Sequence, residues 1–217
     1  MIPYEIISSG SQGNATIINK IVLIDCGVPF KKLEPFYKAL KIVLLTHIHS
    51  DHFNSSTIKR LALERPTLRF ACGEWLVKPL IDCGVSARNI DIIRENTLYN
   101  YGVMNISMFP LTHDVPNCGW KIHFPIGKVI YATDCSNLNG VSALRYDLYL
   151  IEANHVETEI KAKIEEKKAN GEFAYEVRAQ RYHLSKDKCD DFIYRNIGSN
   201  GEYVYMHVHK DEDENDR

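Results

Sequence analysis

The sequence predicts an α/β fold in which strands form a layered sandwich and helices lie outside it. Short apolar runs recur along the 217 residues and are bounded by Gly, Pro, Asn or Asp, which is typical of strands. Longer stretches with helical periodicity lie between some of these runs. Because the strands cluster first and the helices then interleave with them, the order of elements favours stacked layers around a hydrophobic core.

The predicted strands are short and end at turn-forming residues. They cover residues 16–18, 21–24, 42–45, 68–71, 90–93, 104–109, 120–124, 129–131, 148–151 and 203–206. The predicted helices cover residues 30–40, 56–64, 75–83, 157–170 and 186–197. With no internal repeat or linker in view, we expect one domain over residues 1–209 and an acidic, disordered tail over residues 210–217.

Composition limits the location and the class of partner. No apolar run approaches the roughly 20 residues of a membrane helix, and the N-terminus lacks the basic start and apolar stretch of a signal peptide. We therefore expect a cytoplasmic protein without membrane contact, in which the six scattered cysteines stay reduced. A net charge of −2 is not that of a dedicated nucleic-acid-binding domain, so a short or small substrate is favoured over long duplex DNA. The sequence is compatible with a homodimer as well as with a monomer.

The run Thr46-His47-Ile48-His49-Ser50-Asp51-His52 directly follows an apolar strand. If that strand continues, His47 and His49 point to the same side, where two imidazoles can bind one metal ion. Asp51 and His52 follow in a loop and can reach a second, adjacent ion. Imidazole nitrogen and carboxylate oxygen are common ligands of zinc and related metals. A surface histidine cluster without metal is the alternative, and the spacing and the preceding strand disfavour it.

This motif resembles the signature of the metallo-β-lactamase superfamily, and three further residues follow in that family's order. They are His113, Asp134 and His207, each directly after or close to a predicted strand. The resemblance implies an αββα sandwich of two central mixed sheets with helices on the outer faces. It also implies a two-metal ligand set: His47, His49 and His113 on the first ion, Asp51, His52 and His207 on the second, and Asp134 bridging both. His209 is an alternative to His207 as the last ligand.

Within that superfamily the chain is most similar to the YycJ/WalJ-like group, which is related to ribonuclease Z. The similarity is carried by the Ser-Gly-Ser-x-Gly-Asn-like loop at residues 9–14, by residues 23–27, by the Glu-x-Asn-His-like residues 152–155 and by His-Leu-Ser at 183–185. Two segments depart from the group. Residues 173–178 lack its usual proline, and Val-His-Lys rather than Leu-Ser follows His207. Both departures put the substrate in doubt more than the metal site.

The resemblance also implies roles for residues around the metals. Two close ions can share a water and lower its pKa, and Asp51 can orient that water as well as bind an ion. His183 is the candidate general acid, with Glu152 as the carboxylate that orients it and raises its pKa. Candidate substrate-binding residues are Arg178 and Arg181, which could clamp a phosphate, and Asn14 and Ser11 at the cleft rim. Exposed arginines and a tight turn explain the same residues without a substrate.

Together these motifs predict a metal-dependent phosphodiesterase or nuclease that uses two divalent ions, with Zn²⁺ first and Mn²⁺ as the alternative. Its substrate would be a nucleic acid or a small or cyclic nucleotide, which the sequence does not separate. A hydrolase of a non-phosphate ester, thioester or lactone on the same site is the alternative. A non-catalytic, metal-stabilised binding module is a third. The His183 and Glu152 pair favours the phosphodiester.

Overall fold

The computed structural model describes residues 1–208 and contains two six-stranded sheets. The first sheet runs, in spatial order, β1 (Tyr4–Ser8), β2 (Ala15–Ile18), β3 (Val22–Ile24), β4 (Ile42–Leu44), β5 (Arg69–Cys72) and β6 (Ile90–Ile92). The second contains β7 (Tyr99–Asn100), β8 (Asn105–Leu111), β9 (Asn117–Phe124), β10 (Gly127–Ala132), β11 (Leu148–Glu152) and β12 (Glu202–Met206). Its spatial order is β12-β11-β10-β9-β8-β7. His209 and the expected acidic tail lie outside the described residues.

Both sheets are mixed, as the resemblance implied. In the first, β1, β2 and β3 are antiparallel neighbours, whereas β3, β4, β5 and β6 are parallel. In the second, β10, β11 and β12 are parallel, and β7 to β10 are antiparallel neighbours. Parallel neighbours bring their carboxyl ends to one edge of a sheet, which is where open α/β sheets collect functional side chains.

Helices cover the outer faces of the sandwich. They are α1 (Phe30–Leu33), α2 (Ser55–Glu64), α3 (Val77–Asp82), α4 (Glu157–Ala169), α5 (Glu176–Tyr182) and α6 (Lys186–Asn196). One apolar cluster joins the first sheet to α1, α2 and α3, and another joins the second sheet to α6. A third cluster lies between the two sheets. This layering confirms the αββα expectation.

Strand β4 shows how the sequence produces the layers. Ile42 and Leu44 belong to the cluster between the sheets, whereas Val43 belongs to the cluster under the helices. Successive strand side chains alternate between faces, and a strand covered on both sides is apolar throughout. The loop that follows β4 therefore begins from a strand fixed on both faces.

Several predicted elements differ from the observed ones for local reasons. The predicted helix over residues 30–40 stops after Leu33, because Pro35 cannot continue a helix and restricts the residue before it. The predicted strand over residues 42–45 ends at Leu44. Three elements have no sequence prediction: β7 has two residues, β1 is an edge strand with irregular register, and α5 buries only Glu176. None of these three shows a clear apolar period.

Two expectations from composition can be compared with the structure directly. All six cysteines are free and buried, so thiols pack in the interior. No helix within residues 1–208 is long and apolar enough to cross a membrane.

Candidate metal centre

The candidate metal centre lies at the edge where strands from both sheets end. It is built from the loop after β4, His113 after β8, Asp134 after β10, Glu152 at the end of β11 and His207 after β12. The parallel order of β10, β11 and β12 places three of these positions side by side. The structure thus brings together side chains that are up to 160 residues apart in the chain, from His47 to His207.

The first group of donors contains His47, His49, His113 and Asp134. His49 Nδ1 lies 3.1 Å from His47 Nε2 and 3.3 Å from His113 Nε2. His47 Nε2 is 3.2 Å from Asp134 Oδ2. The expected strand continuation does not occur, since His47 and His49 lie in the loop after β4, yet their ring nitrogens still converge. Three imidazoles and a carboxylate at this spacing are a suitable ligand set for a divalent cation.

Asp134 lies at the centre of the site and is almost fully buried. Its Oδ2 is 2.7 Å from His52 Nε2, while its Oδ1 is 3.3 Å from His183 Nδ1 and in contact with His207 Nδ1. Despite this proximity, neither Asp134 Oδ1 nor His207 Nδ1, both buried, makes a well-aligned hydrogen bond within residues 1–208. Buried polar atoms are normally hydrogen-bonded, so two ligand-type atoms that converge without such a bond fit a site that a cation completes.

The second ion has two candidate donor groups. One contains Asp51, His52 and Asp134, and the other contains Asp134, Glu152, His183 and His207. The ring of His207 has its centroid 5.2 Å from that of His183 and 6.1 Å from that of His52. His207 therefore stands between the two groups, and its place beside Asp51 and His52 on the second ion stays a prediction.

Asp25, directly after β3, contacts the side of the His52 ring that faces away from Asp134, and no sequence motif indicated this role. The carboxylate is fully buried, with Oδ2 2.7 Å from His52 Nδ1. Its Oδ1 accepts hydrogen bonds from the Thr46 N–H at 3.0 Å and the Thr46 hydroxyl at 2.9 Å. Burial lowers the pKa of His52, but the charges of Asp134 and Asp25 outweigh it and raise that pKa well above its usual range. An acidic residue directly after a buried strand was the available signal.

His183 and Glu152 form a second buried pair. Glu152 Oε1 lies 2.6 Å from His183 Nδ1, and Oε2 accepts hydrogen bonds from the backbone N–H groups of Cys135 at 2.9 Å and Leu184 at 3.1 Å. Burial alone would lower the pKa of His183, but the carboxylates of Asp134 and Glu152, 3.3 and 2.6 Å from Nδ1, raise that pKa to about 10. His183 ends α5, and Ser185 caps α6, so two helix ends fix this side chain.

The glycine-containing loops before β2 and after β3 support the metal loop. A Cβ at Gly27 would lie 1.7 Å from the carbonyl oxygen of Asp51, so only glycine permits this approach. The Asn14 N–H donates to the same carbonyl at 2.6 Å, and Asn14 Nδ2 is 2.8 Å from His52 Nε2. Asn14 is fully buried against the metal loop, whereas Ser11 is exposed.

The two candidate arginines lie on α5, next to the site. Arg178 is exposed and pairs with Asp114, the residue after His113. Arg181 is also exposed, and its guanidinium carbon lies 5.2 Å from the ring centroid of Tyr182. Both cations therefore stand on the helix that ends at His183.

A family profile described as the beta-lactamase superfamily domain matches residues 20–180 of the chain. This span exceeds half of the sequence and contains most of the site, from His47 to Glu152. A comparison with curated protein sequences gave no significant match.

Several solved structures share the fold at low sequence identity. The metallo-beta-lactamase fold protein YhfI from Bacillus subtilis has a TM-score of 0.73 and 16% identity, over 98% of this chain and 88% of that one. Human tRNase Z, short form, has a TM-score of 0.70 and 14% identity, over 97% and 93%. A diphosphatase from the PhnP family has a TM-score of 0.65 and 13% identity, over 96% and 87%.

Proposed function

Because the chain belongs to the metallo-β-lactamase superfamily, we propose that it is a metal-dependent phosphodiesterase acting on a nucleic acid or on a small or cyclic nucleotide. The observation that carries the proposal is the pair of His183 and Glu152, whose Nδ1 and Oε1 atoms lie 2.6 Å apart beside Asp134. Hydrolysis of a phosphodiester requires a proton for the departing oxygen, and an oriented histidine can supply it.

Two divalent ions, zinc first and manganese as the alternative, would lower the pKa of a water molecule and stabilise charge on the phosphoryl oxygens. We assign His47, His49 and His113 to one ion and Asp51, His52 and His207 to the other, with Asp134 between them. The nitrogen and oxygen donors of this set suit zinc.

The chain's own groups have separate tasks in this proposal. His183 donates through Nδ1 to Glu152, which leaves its Nε2–H free to protonate the leaving oxygen. The carboxylate of Glu152 raises the pKa of His183, which favours the protonated imidazole at neutral pH. Asp51 has a side chain 21% exposed, so its carboxylate can accept a hydrogen bond from the attacking water and orient it.

The charges around the site support a phosphate-containing substrate. Arg181 is exposed on α5, as is Arg178, whose guanidinium also pairs with Asp114. Guanidinium groups bind phosphate oxygens through two parallel hydrogen bonds. A net charge of −2 favours a short substrate over a long duplex. Two similar folds, tRNase Z and the PhnP-family diphosphatase, have names that point to RNA and to phosphate esters, and fold similarity of this kind is an analogy.

The test compares leaving groups. Protein loaded with zinc or manganese is assayed against bis(p-nitrophenyl) phosphate, short DNA, short RNA and a panel of cyclic nucleotides, with thioesters and lactones as non-phosphate substrates. His183→Ala should reduce kcat on nucleotide substrates by about 10²–10⁴-fold, since their leaving oxygen needs a proton. The same variant should lose much less on bis(p-nitrophenyl) phosphate, because nitrophenolate leaves without a proton. Asp51→Ala should lose activity on both.

Two results would decide against the proposal. Protein that binds two ions but turns over no phosphodiester is not a phosphodiesterase, and turnover of a thioester or lactone would then identify the alternative hydrolase. An equal loss for His183→Ala on every leaving group would remove the general-acid role. Cleavage of cyclic nucleotides alone would name the substrate class.

A further inference from the structure

The histidines of the metal loop share a feature that extends beyond the ligand atoms. A metal-binding imidazole must present an unprotonated nitrogen, so its other nitrogen carries the proton and needs an acceptor. Three histidines of the site have such an acceptor at once. The pairs are His47 Nδ1 with Thr46 Oγ1 at 3.0 Å, His113 Nδ1 with the Tyr182 carbonyl at 3.2 Å, and His52 Nδ1 with Asp25 Oδ2 at 2.7 Å.

His49 is the fourth, and its geometry is reversed. Its Nδ1 faces the nitrogens of His47 and His113, so Nε2 is the atom that needs an acceptor. That Nε2 lies 3.3 Å from Asp114 Oδ1. We propose that Asp114 is the positioning residue of His49, which holds the imidazole with Nδ1 turned to the first metal ion. This inference rests on the metal site of the proposed function.

Arg178 holds Asp114 in turn. Its guanidinium pairs with Asp114 Oδ2, while Oδ1 faces His49, so the two oxygens have separate partners. The Asp114 side chain is 18% exposed and that of Arg178 is 68% exposed. The chain of contacts therefore runs from α5, at the surface, to a ligand of the first ion.

Asp114 could instead be a metal ligand, because its Oδ1 is also 3.1 Å from His113 Nε2. Two observations favour positioning. The donor group around His47, His49 and His113 includes Asp134 as its carboxylate and does not include Asp114. The other oxygen of Asp114 is already paired with Arg178, whereas Asp134 Oδ1 is buried without a well-aligned hydrogen bond within residues 1–208.

Asp25 and Asp114, the carboxylates next to His52 and His49, differ in burial and in the groups that hold them. Asp25 is fully buried and is held by Thr46, so the histidine on the second ion is fixed from within the core. Asp114 stands at the rim and is held by a cation on a short helix. The orientation of His49 is thus tied to α5, the helix that also ends at His183.

The experiment measures metal affinity without turnover. Zn²⁺ is titrated into metal-free full-length protein in competition with a chromophoric chelator, which gives both dissociation constants, and the Co²⁺ absorption spectrum reports the ligand geometry. The variants are Asp114→Asn, Asp114→Glu and Arg178→Gln. Asp82→Asn is the matched control, since it breaks an exposed ion pair with Lys78 on α3.

Asp114→Asn should raise the dissociation constant of one of the two ions by about 10–100-fold and leave that of the other unchanged. Asp114→Glu should keep most of the wild-type affinity for that ion. Arg178→Gln should reduce the affinity for the same ion by a smaller factor than Asp114→Asn does. In nitrogen NMR of the metal-free protein, Asp114→Asn should also change the tautomer of His49, because Arg178 would keep the amide oxygen and the NH₂ would then face His49 Nε2. Asp82→Asn should change none of these readouts.

Unchanged dissociation constants in Asp114→Asn would overturn the inference, and so would a loss at that ion with an unchanged His49 tautomer. Absence of phosphodiesterase activity leaves these constants measurable, so the two proposals fail separately. A wild-type protein that binds no divalent ion would overturn both.

Discussion

Replacing Glu152 by Gln should impair the departure of poor leaving groups while sparing good ones. Glu152 is fully buried and receives three donors: His183 Nδ1 at 2.6 Å and the N–H groups of Cys135 and Leu184 at 2.9 and 3.1 Å. An amide has one acceptor oxygen for these three donors. If that oxygen keeps the two backbone N–H groups, the amide NH₂ faces His183 and forces its Nδ1 to become an acceptor.

The magnitude follows from these contacts. Loss of one hydrogen bond to a charged group costs about 1.5–3 kcal/mol of folding free energy. The pKa of His183, held at about 10 against burial by Asp134 and Glu152, should fall toward its ordinary value of 6.5. Since activity requires the protonated imidazole, kcat should decline with rising pH from a lower pH than in the wild type. At pH 8 we expect a loss approaching the 10²–10⁴-fold contribution of general-acid catalysis.

The assay is a pH–rate profile of wild type and Glu152→Gln on two substrates, a short oligonucleotide and bis(p-nitrophenyl) phosphate. The shift of the alkaline limb should be seen with the oligonucleotide and should nearly vanish with the nitrophenyl ester. Urea unfolding of the same protein checks that it is folded. An alkaline limb at the same pH in both proteins would refute the reasoning that Glu152 sets the protonation of His183.

Three further predictions concern the stability of the site. Removing metal with a chelator should lower the free energy of unfolding by about 2.7 kcal/mol for an ion present at one hundred times its dissociation constant, measurable as a fall in Tm that added zinc reverses. Asp25→Ala leaves His52 without its buried partner and should cost about 3–5 kcal/mol in urea unfolding; a cost below 1 kcal/mol would contradict the pairing. Gly27→Ala places a Cβ 1.7 Å from the Asp51 carbonyl and should destabilise by at least about 1–3 kcal/mol and weaken metal binding. Gly84→Ala, which has open space but a positive φ of 86°, should cost only about 1 kcal/mol and leave metal binding intact.

The layers were predictable because apolar periodicity is a local signal. Strand β4 alternates between two cores, and its apolar run is visible in the sequence without knowledge of its neighbours. The wrong or missing helix predictions also have local causes. Pro35 ends the first helix early, and α5 carries too little buried surface to show a helical period. Strand ends can be read from the chain, so His113, Asp134 and His207 were predicted as site residues for the same reason, but Asp25, directly after β3, was not.

The partners of those residues could not be predicted, because each contact joins distant segments. Asp25 and His52 are 27 positions apart and meet only because β3 and β4 are parallel neighbours. Asp114 and Arg178 are 64 positions apart and belong to a strand end and a helix that the sequence did not reveal. A pattern of residue types indicates which side chains can bind a metal. The topology determines which oxygen contacts the other ring nitrogen of each histidine.

Backbone strain supports the view that the edge of the sandwich is built for its side chains. Asp25, Asp134 and His207 have φ angles of 58°, 55° and 51°, in the left-handed region that costs a non-glycine residue about 1–2 kcal/mol. Two of them are held by hydrogen bonds: the Asn117 amide donates to the Asp134 carbonyl at 2.7 Å, and the His207 N–H donates to Ser9 Oγ at 2.7 Å. Asn19, Lys20, Asn96 and Arg145 adopt the same backbone conformation outside the site, so a positive φ does not by itself identify a functional residue. At the site, the residues in this conformation are two carboxylates and an imidazole, and Asp134 Oδ1 and His207 Nδ1 are buried without a well-aligned hydrogen bond within residues 1–208. The strained backbone there thus directs ligand-type side chains to the metal centre.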